Sequence, residues 1–432
     1  MSSSKKTMSA KDDGKRAPKL RFPEFRGREA WKPVTLQEAS TPVSERVGER
    51  MLTPVSISAG IGFVRQSEKF GRDISGDQYR LYTVVRDGDF VFNKGNSLKF
   101  PQGCVYLLQG WGEVAAPNVF ICFRLKDGHS KGFFQQCFEQ NQHGKQLRRH
   151  ITSGARSNGL LNISKETFYS VEISTPTYPE QQTIDECLSS VDEVAAAQTR
   201  KVDALKTHKK GLMQQLFPRE GETQPRLRFT EFQNNGEWVV KRLEDLAKRG
   251  SGHTPSKSKP EYYDGGIKWV SLADSKRLDS GLISETAIEI SDKGIQNSSA
   301  VLHPEGTVLI SRDAGIGKSA VMSVPMAVSQ HFIAWTCKPP LLSNWFLYHL
   351  LQNNKPHFER AATGSTIKTI GLKFFIDLAF RVPALSEQHR IASCLSSLDA
   401  LINAEVQKLE ALKRHKRGLM QQLFPFTHGV EQ

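Results

Sequence analysis

The sequence lacks a long apolar run and a secretory leader. Among its 432 residues there is no window of about 18 uninterrupted apolar residues, so a membrane span is excluded. The first 17 residues are polar and basic and contain no apolar core, which indicates a disordered tail and not a signal peptide. We therefore predict a cytoplasmic protein with no membrane partner.

Paired-cysteine and cofactor motifs are absent as well. The six cysteines form no C-x-x-C pair, and no histidine stands at zinc spacing from them, so we expect neither a disulfide framework nor a metal site. GIGKS (315–319) lacks the first glycine of a phosphate-binding loop, because position 312 is Arg. KPPL (338–341) lacks the residues that hold a flipped base in amino-methyltransferases. No nucleophile constellation is visible, and we predict no catalytic residue and no cofactor in this chain.

Positive charge is abundant. Lys and Arg number 59 against 45 Asp and Glu, a net charge of +14. Such an excess favours a polyanionic partner, and nucleic acid is the commonest one.

An internal repeat organises the chain. A shift of 207 residues places 179–218 on 386–425 without a gap and with 23 of 40 positions identical. The same shift places 18–40 on 225–247, and these residues recur: Pro18, Leu20, Arg21, Phe22, Glu24, Phe25, Trp31 and Leu36. The segments between these blocks, 41–178 and 248–385, agree only in fragments, such as GDFVFNK (88–94) beside GTVLISR (306–312) and Thr152–Gly154 beside Thr363 and Gly364. The pattern predicts a pseudo-two-fold scaffold that carries two different working surfaces.

The repeated 40-residue segment has the apolar spacing of a coiled-coil helix. We predict helix pairing through Ile184, Leu188, Val191, Val202, Leu205, Leu212, Leu216, Ile391, Leu395, Leu398, Ile402, Leu409, Leu412, Leu419 and Leu423. About 37 residues give a rod of roughly 55 Å. If a two-fold axis relates the halves, the two rods run antiparallel. Packing of each rod on its own domain, or on another chain, is the alternative.

The variable segments mix short strand-like runs with helical pieces, which indicates an α+β fold. The whole is predicted as two mixed α/β domains joined by two long helices in an antiparallel coiled coil. The predicted parts are a tail (1–17), a first variable domain (18–178), a central helix (179–218), a second variable domain (219–385), a C-terminal helix (386–425) and a tail (426–432).

This organisation resembles the specificity (S) subunit of type I restriction-modification systems. Each recognition domain opens with W-x(4)-L, at Trp31–Leu36 and Trp238–Leu243, and is followed by a long helix that ends in LMQQLFP. The stretches 55–76 and 252–274 are similar to recognition-domain openings of that family.

The resemblance implies a non-catalytic protein that binds duplex DNA at a split, asymmetric site. Residues 41–178 would read one half-site and residues 248–385 the other. It also implies two methylation (M) subunits that carry S-adenosylmethionine, and restriction (R) subunits that use ATP and Mg. Half-sites one DNA turn apart lie about 34 to 36 Å from each other, a distance that the predicted rod can set.

Loops rich in Gly, Ser, Lys and Asn supply the candidate DNA contacts, since Arg and Lys bind guanine and phosphate while Asn binds adenine. The candidates are Asn93, Lys94, Arg156, Asn158, Lys257, Lys259, Tyr263, Arg312, Lys318, Ser365, Thr366 and Lys368. The alternatives are a DNA-binding regulator that acts without enzymatic partners, a coiled-coil protein with no nucleic-acid role, and an enzyme in its own right.

Overall fold

A computed structural model describes residues 17–95, 100–151, 161–364 and 368–425. The chain divides into two compact units, the first formed by residues 1–196 and 410–432 and the second by 197–409. Both units mix helices and sheets, as the sequence predicts. No helix in the described part is long and apolar enough to cross a lipid bilayer.

The elements up to the first long helix are as follows. In chain order they are β1 (Lys32–Thr35), α1 (Leu36–Ala39), β2 (Ser40–Pro42), β3 (Thr53–Ser58), β4 (Gly62–Arg65), α2 (Gln66–Phe70), β5 (Thr83–Arg86), β6 (Asp89–Asn93), β7 (Cys104–Leu107), β8 (Glu113–Ala116), β9 (Ile121–Leu125), α3 (Lys131–Glu139), α4 (Gln142–Leu147), α5 (Lys165–Tyr169), β10 (Glu172–Thr175) and α6 (Tyr178–Leu216).

The elements after it repeat much of this order. They are β11 (Val239–Arg242), α7 (Leu243–Leu246), β12 (Ala247–Ser251), β13 (Tyr263–Val270), β14 (Leu282–Ile283), β15 (Glu289–Ile290), α8 (Asp292–Gln296), β16 (Val308–Ser311), β17 (Ser319–Met322), β18 (Ala327–Val328), β19 (Phe332–Cys337), α9 (Asn344–Asn353), α10 (Lys355–Ala361), α11 (Leu372–Ile376), β20 (Ala379–Val382) and α12 (Leu385–Leu423).

The sheets of the two units follow one plan. The first unit has an antiparallel sheet in the order β2-β9-β6-β7, and the second has β12-β19-β16-β17 with β14 added at its edge. In a second sheet β3 pairs with β8 in parallel, as β13 pairs with β18. The ribbon β1-β10 matches β11-β20. The duplicated blocks of sequence therefore enclose segments that share strand order while differing in sequence.

A buried tryptophan marks the corresponding place in each core. Trp31 and Trp238 are each 1% exposed. Trp31 packs on Phe424, at the end of α12, with ring centroids 6.0 Å apart. Trp238 packs on Phe217, just after α6, at 6.3 Å. Each unit is thus closed by the end of the long helix that starts in the other half of the sequence.

Ion pairs between duplicated elements support the same plan. Arg21 binds Glu180 at 2.7 Å in the first unit, and Arg228 binds Glu387 at 2.7 Å in the second. Both glutamates are 1% exposed. The two pairs are related by the 207-residue shift.

Within each unit, segments of α6 and α12 pack side by side. In the second unit Gln198 donates to Glu405 and Lys209 binds Asp399, so the residue numbers on α12 fall as those on α6 rise and the segments run antiparallel. In the first unit Lys416 binds Asp192 at 2.8 Å. Every residue predicted for helix pairing is buried or half-buried. The residues at the helix ends, such as Ile184 and Leu423 in the first unit, join the core of the sheets.

Candidate nucleic-acid interface

The turn after β16 is the centre of the candidate interface in the second unit. Arg312 donates its backbone N–H to His331 (3.0 Å) and accepts from the N–H of Ile370 (2.8 Å). Its Nε also donates to the Ile370 carbonyl at 3.1 Å. Arg312 therefore joins its own turn to two other loops, at His331 and Ile370, at one edge of the sheet.

Two side-chain pairs extend this edge. His331 Nδ1 lies 2.7 Å from Asp313 Oδ2, which joins the 329–331 loop to the turn after β16. Thr254 hydrogen-bonds to Gln330, which joins the long loop between β12 and β13 to the same place. The loops around 254, 313, 330 and 370 thus form one continuous surface.

The first unit contains an equivalent contact. We call each of these contacts a clamp: a backbone carbonyl directly after the strand, of Arg312 or Lys94, accepts a hydrogen bond from a distant loop residue, Ile370 or Leu161. Lys94, directly after β6, accepts at its carbonyl from the N–H of Leu161 at 2.9 Å, as Arg312 accepts from Ile370. The pairing of GDFVFNK with GTVLISR in the sequence therefore corresponds to matching positions in the two structures, because β6 and β16 hold the same place in matching sheets.

Exposure differs among the predicted contacts of the second unit. Lys257, Lys259 and Lys368 are exposed, and Arg312 is half-buried. Lys368 lines a cleft together with Gly315. These four cations are available at the loop surface.

Other predicted contacts are engaged inside the protein. Lys318 binds Asp279 at 2.8 Å and donates to the Ser275 carbonyl at 3.0 Å. The Tyr263 hydroxyl donates to the Pro255 carbonyl at 2.6 Å, and burial raises the pKa of that hydroxyl. These two side chains shape the loops around them.

Asn93 and Lys94 hold loops in the first unit. Asn93 is buried, donates to the Ile57 carbonyl at 3.0 Å and accepts from the N–H of Gly95 at 2.7 Å. Lys94 Nζ donates to the Ile163 carbonyl at 3.4 Å. The remaining candidates lie outside the described residues: Arg156, Asn158, Ser365 and Thr366.

The structure adds residues for which the sequence carries no local signal. Thr254, Asp313, Gln330 and His331 come together from three separated loops. Lys355, at the start of α10, lines the same cleft as Lys368.

The GIGKS segment forms a tight turn in which Gly317 N–H donates to the Ser311 carbonyl and Lys318 N–H to the Gly315 carbonyl. Gly315 and Gly317 have φ of 79° and 76°, the left-handed region that favours glycine. With Lys318 bound to Asp279, this turn serves to connect β16 to β17.

Comparison with known proteins gives a consistent family. Residues 235–414 match the family model of the type I restriction modification DNA specificity domain. Over 180 residues the chain is 28% identical to the type I restriction enzyme MjaIX specificity subunit of Methanocaldococcus jannaschii, covering 41% of each protein. Over 181 residues it is 29% identical to the EcoR124I/EcoR124II specificity subunit of Escherichia coli, covering 40% of this chain and 44% of the relative. The chain thus spans less than half the length of these two curated relatives.

Similarity of fold extends further along the chain. The crystal structure of a type I restriction-modification system S subunit from M. genitalium superposes with a TM-score of 0.59 at 14% identity, covering 95% of this chain and 99% of that one. At this identity the match concerns the fold.

Proposed function

We propose that this chain is a member of the type I restriction-modification specificity family and that it selects a split, asymmetric duplex DNA target. Each unit reads one half-site with the loops at the edge of its antiparallel sheet. The chain itself is non-catalytic. Its net charge of +14 suits a polyanionic ligand.

The observation that carries this proposal is the matched clamp in the two units. Lys94 with Leu161 and Arg312 with Ile370 place a loop at the same position of the same sheet. The side chains around the two clamps differ. One frame with unlike loops is what the reading of two unlike half-sites requires.

In the second unit we assign DNA contacts to Lys257, Lys259, Arg312 and Lys368, which stand at the loop surface. Arg312 uses Nε within the protein, so its terminal nitrogens are the donors for a guanine edge or a phosphate. Lys318, Tyr263 and Asn93 support the loops from inside. Arg156, Asn158, Ser365 and Thr366 remain proposed contacts from the sequence.

The proposed partners follow from the family. Two methylation subunits that carry S-adenosylmethionine dock on the complex, and restriction subunits that use ATP and Mg join them. The antiparallel segments of α6 and α12 form the coiled coil that sets the distance between half-sites.

Mapping of methylated adenines tests the assignment. The chain is co-expressed with a methylation subunit in a host that lacks both, and modified positions are mapped genome-wide with and without the chain. We expect modification at a two-part sequence only when the chain is present. Exchange of residues 41–178 for another recognition domain changes one half of that sequence and leaves the other half unchanged.

The rival function is separated by binding measurements. A DNA-binding regulator that acts alone would bind one sequence tightly and specifically without a methylation subunit, and would direct no methylation. That pair of results would overturn the proposal. The control is the exchange of residues 248–385, which must alter the opposite half-site.

A further inference from the structure

Each unit has a short basic helical segment directly before the loop that its clamp holds. In the first unit this segment is α4 together with the turn Arg148–His150, and Ile151 leads from it toward Leu161. In the second unit it is α10, which leads toward Ile370. Both segments occupy the same place in the shared plan.

In the second unit α10 borders a cavity of about 560 Å³ that no step of the proposed base reading uses. The end of α6 and strand β20 form its other walls, and Phe217 contributes apolar surface. The basic residues that line this cavity are Arg219, His357, Arg360 and Arg381.

Several other basic residues of this unit are neutralised by carboxylates. Arg228 binds Glu387, and Lys318 binds Asp279. By contrast, neither Arg219 nor Arg360 has a carboxylate within 4.0 Å of its side chain among the residues that the structure describes.

The cavity has two carboxylates and three arginines. Glu222 accepts two hydrogen bonds from the Arg226 side chain, at 2.9 and 2.8 Å, and one from the backbone N–H of Arg219 at 3.2 Å. Glu220 is exposed and lines the cavity together with three arginines. The cavity therefore keeps an excess of positive charge.

The basic surface continues from this cavity to the loops. A Cβ added to Gly317 would lie 2.9 Å from Lys355 Cγ, so the turn after β16 packs closely on the start of α10. Lys355 and Lys368 line the cleft on this side of the helix together with Asp313 and Glu359, and Lys355 pairs with Glu359 at 4.0 Å. His357 and Arg360 line the cavity on the other side. The basic strip of the second unit thus comprises the cavity arginines and, across α10, Lys368.

The first unit has a basic surface at the corresponding place. Arg148, Arg149 and His150 are all exposed. Arg149 and His150 line a cleft with Ser170 and Glu172, next to strand β10, as Arg360 faces β20 in the second unit. The two recognition segments differ in sequence, yet both keep arginine before the clamped loop.

We propose that these two basic strips bind DNA backbone phosphates that flank the half-sites, outside the base-reading loops. The inference rests on the proposed function. Arginine suits this role because its planar fork pairs with phosphate oxygens. Phosphate contacts position a protein on duplex DNA and carry no sequence information, so the strips add affinity equally at every target.

The test measures the salt dependence of DNA binding by the complex of this chain with its methylation subunits. The variants are Arg360→Gln in the second unit and the double variant Arg148→Gln, Arg149→Gln in the first. Each lost phosphate contact lowers the slope of log K against log salt by about 0.9. Between 50 and 200 mM salt, this makes the loss of affinity about 3.5-fold smaller for each contact removed. The ratio of cognate to non-cognate affinity stays unchanged.

Lys248→Gln is the matched control for Arg360→Gln, because Lys248 is an exposed cation of the same unit on strand β12 and its removal changes the net charge equally. It should leave the slope unchanged. Duplexes with uncharged methylphosphonate linkages beside the half-site give a second measurement: they weaken binding of the wild type and weaken Arg360→Gln no further. Circular dichroism confirms that the variants are folded.

The outcomes separate the two proposals. If the wild-type complex distinguishes its target while Arg360→Gln and the arginine double variant keep the wild-type slope, the phosphate strips are refuted and the proposed function stands. A variant that loses sequence preference would place the arginine among the base-reading groups, which also refutes the strips. If the wild-type complex has no sequence preference, both proposals fail.

Discussion

Gln198 and Glu405 occupy the same position in the duplicated long helices, 207 residues apart, and they bind each other. Gln198 Nε2 donates to Glu405 Oε2 at 2.7 Å and to the Glu405 carbonyl at 2.9 Å. Within the second unit, this polar pair therefore joins equivalent positions of the two antiparallel helix segments.

Replacement of this pair by leucine tests whether it fixes the register. Glu405 is 3% exposed, and hydrogen bonds from Gln198, Lys201 and Lys408 lower its pKa to about 2, so it is ionised at neutral pH. We expect the double variant Gln198→Leu, Glu405→Leu to raise the midpoint of thermal unfolding, because the apolar seam becomes continuous. We also expect the two helix segments to adopt more than one axial alignment. Spin labels at Asp203 and Ala400 report that alignment. A single narrow distance, as in the wild type, would argue against a role in register.

The buried histidine His349 in α9 leads us to predict a loss of stability in mild acid. His349 is fully buried, its Nε2 lies 3.1 Å from Ser396 Oγ, and burial together with Lys209 lowers its pKa to about 3. The unfolded chain binds a proton near pH 6.5 while the folded chain does not, so the free energy of unfolding falls as the pH drops below about 6.5. From pH 7.5 to 5.0 this group contributes on the order of 2 kcal/mol.

Urea unfolding at the two pH values measures this effect. His349→Gln removes the titration and should reduce the difference between pH 7.5 and 5.0. His143 remains as an internal control, since burial lowers its pKa to about 4 in the first unit. An equal pH dependence in wild type and variant would contradict the assignment.

The aromatic contacts at the helix ends predict matched losses of stability in the two units. Phe424 stacks on Phe133 with centroids 5.3 Å apart, and Phe217 packs on Phe346 at 5.6 Å. Phe424→Ala and Phe217→Ala should each cost about 3 to 5 kcal/mol, because a buried ring leaves a cavity. Hydrogen exchange should show faster opening of the first unit in the former variant and of the second unit in the latter. Uniform exchange across both units would show that the rings do not act locally.

A lengthened helix pair tests the proposed spacer. Seven helical residues inserted after position 198 in α6, together with seven after position 405 in α12, preserve the apolar phase and add about 10 Å. The gap between the methylated half-sites should grow by about three base pairs. Insertion of seven residues into a surface loop at position 234 serves as the control. An unchanged gap would contradict the spacer.

The long helices could be predicted from the sequence because their apolar spacing is local and repeated. The predicted helix 179–218 is observed as 178–216, and the recurring Trp31 and Trp238 are both buried. The aligned fragments GDFVFNK (88–94) and GTVLISR (306–312) contain β6 and β16.

The candidate contacts could be predicted only in part, since their partners are distant in the sequence. In the sequence Lys318 has the character of a free loop cation, but in the structure it forms an ion pair with Asp279. Asn93 has the character of a base-reading amide, but its side chain donates a hydrogen bond to the Ile57 carbonyl. Among the cysteines, Cys104, Cys122 and Cys137 are buried, while Cys187, Cys337 and Cys394 are half-buried.

The packing of Phe424 on Trp31 has a consequence for synthesis on the ribosome. Domains generally fold in the order in which they are made, but the first unit needs Leu419, Leu423 and Phe424 to complete its core. The second unit ends at residue 409. The part of the protein that emerges first is therefore finished last, and a chain released a few residues early would leave its amino-terminal half open.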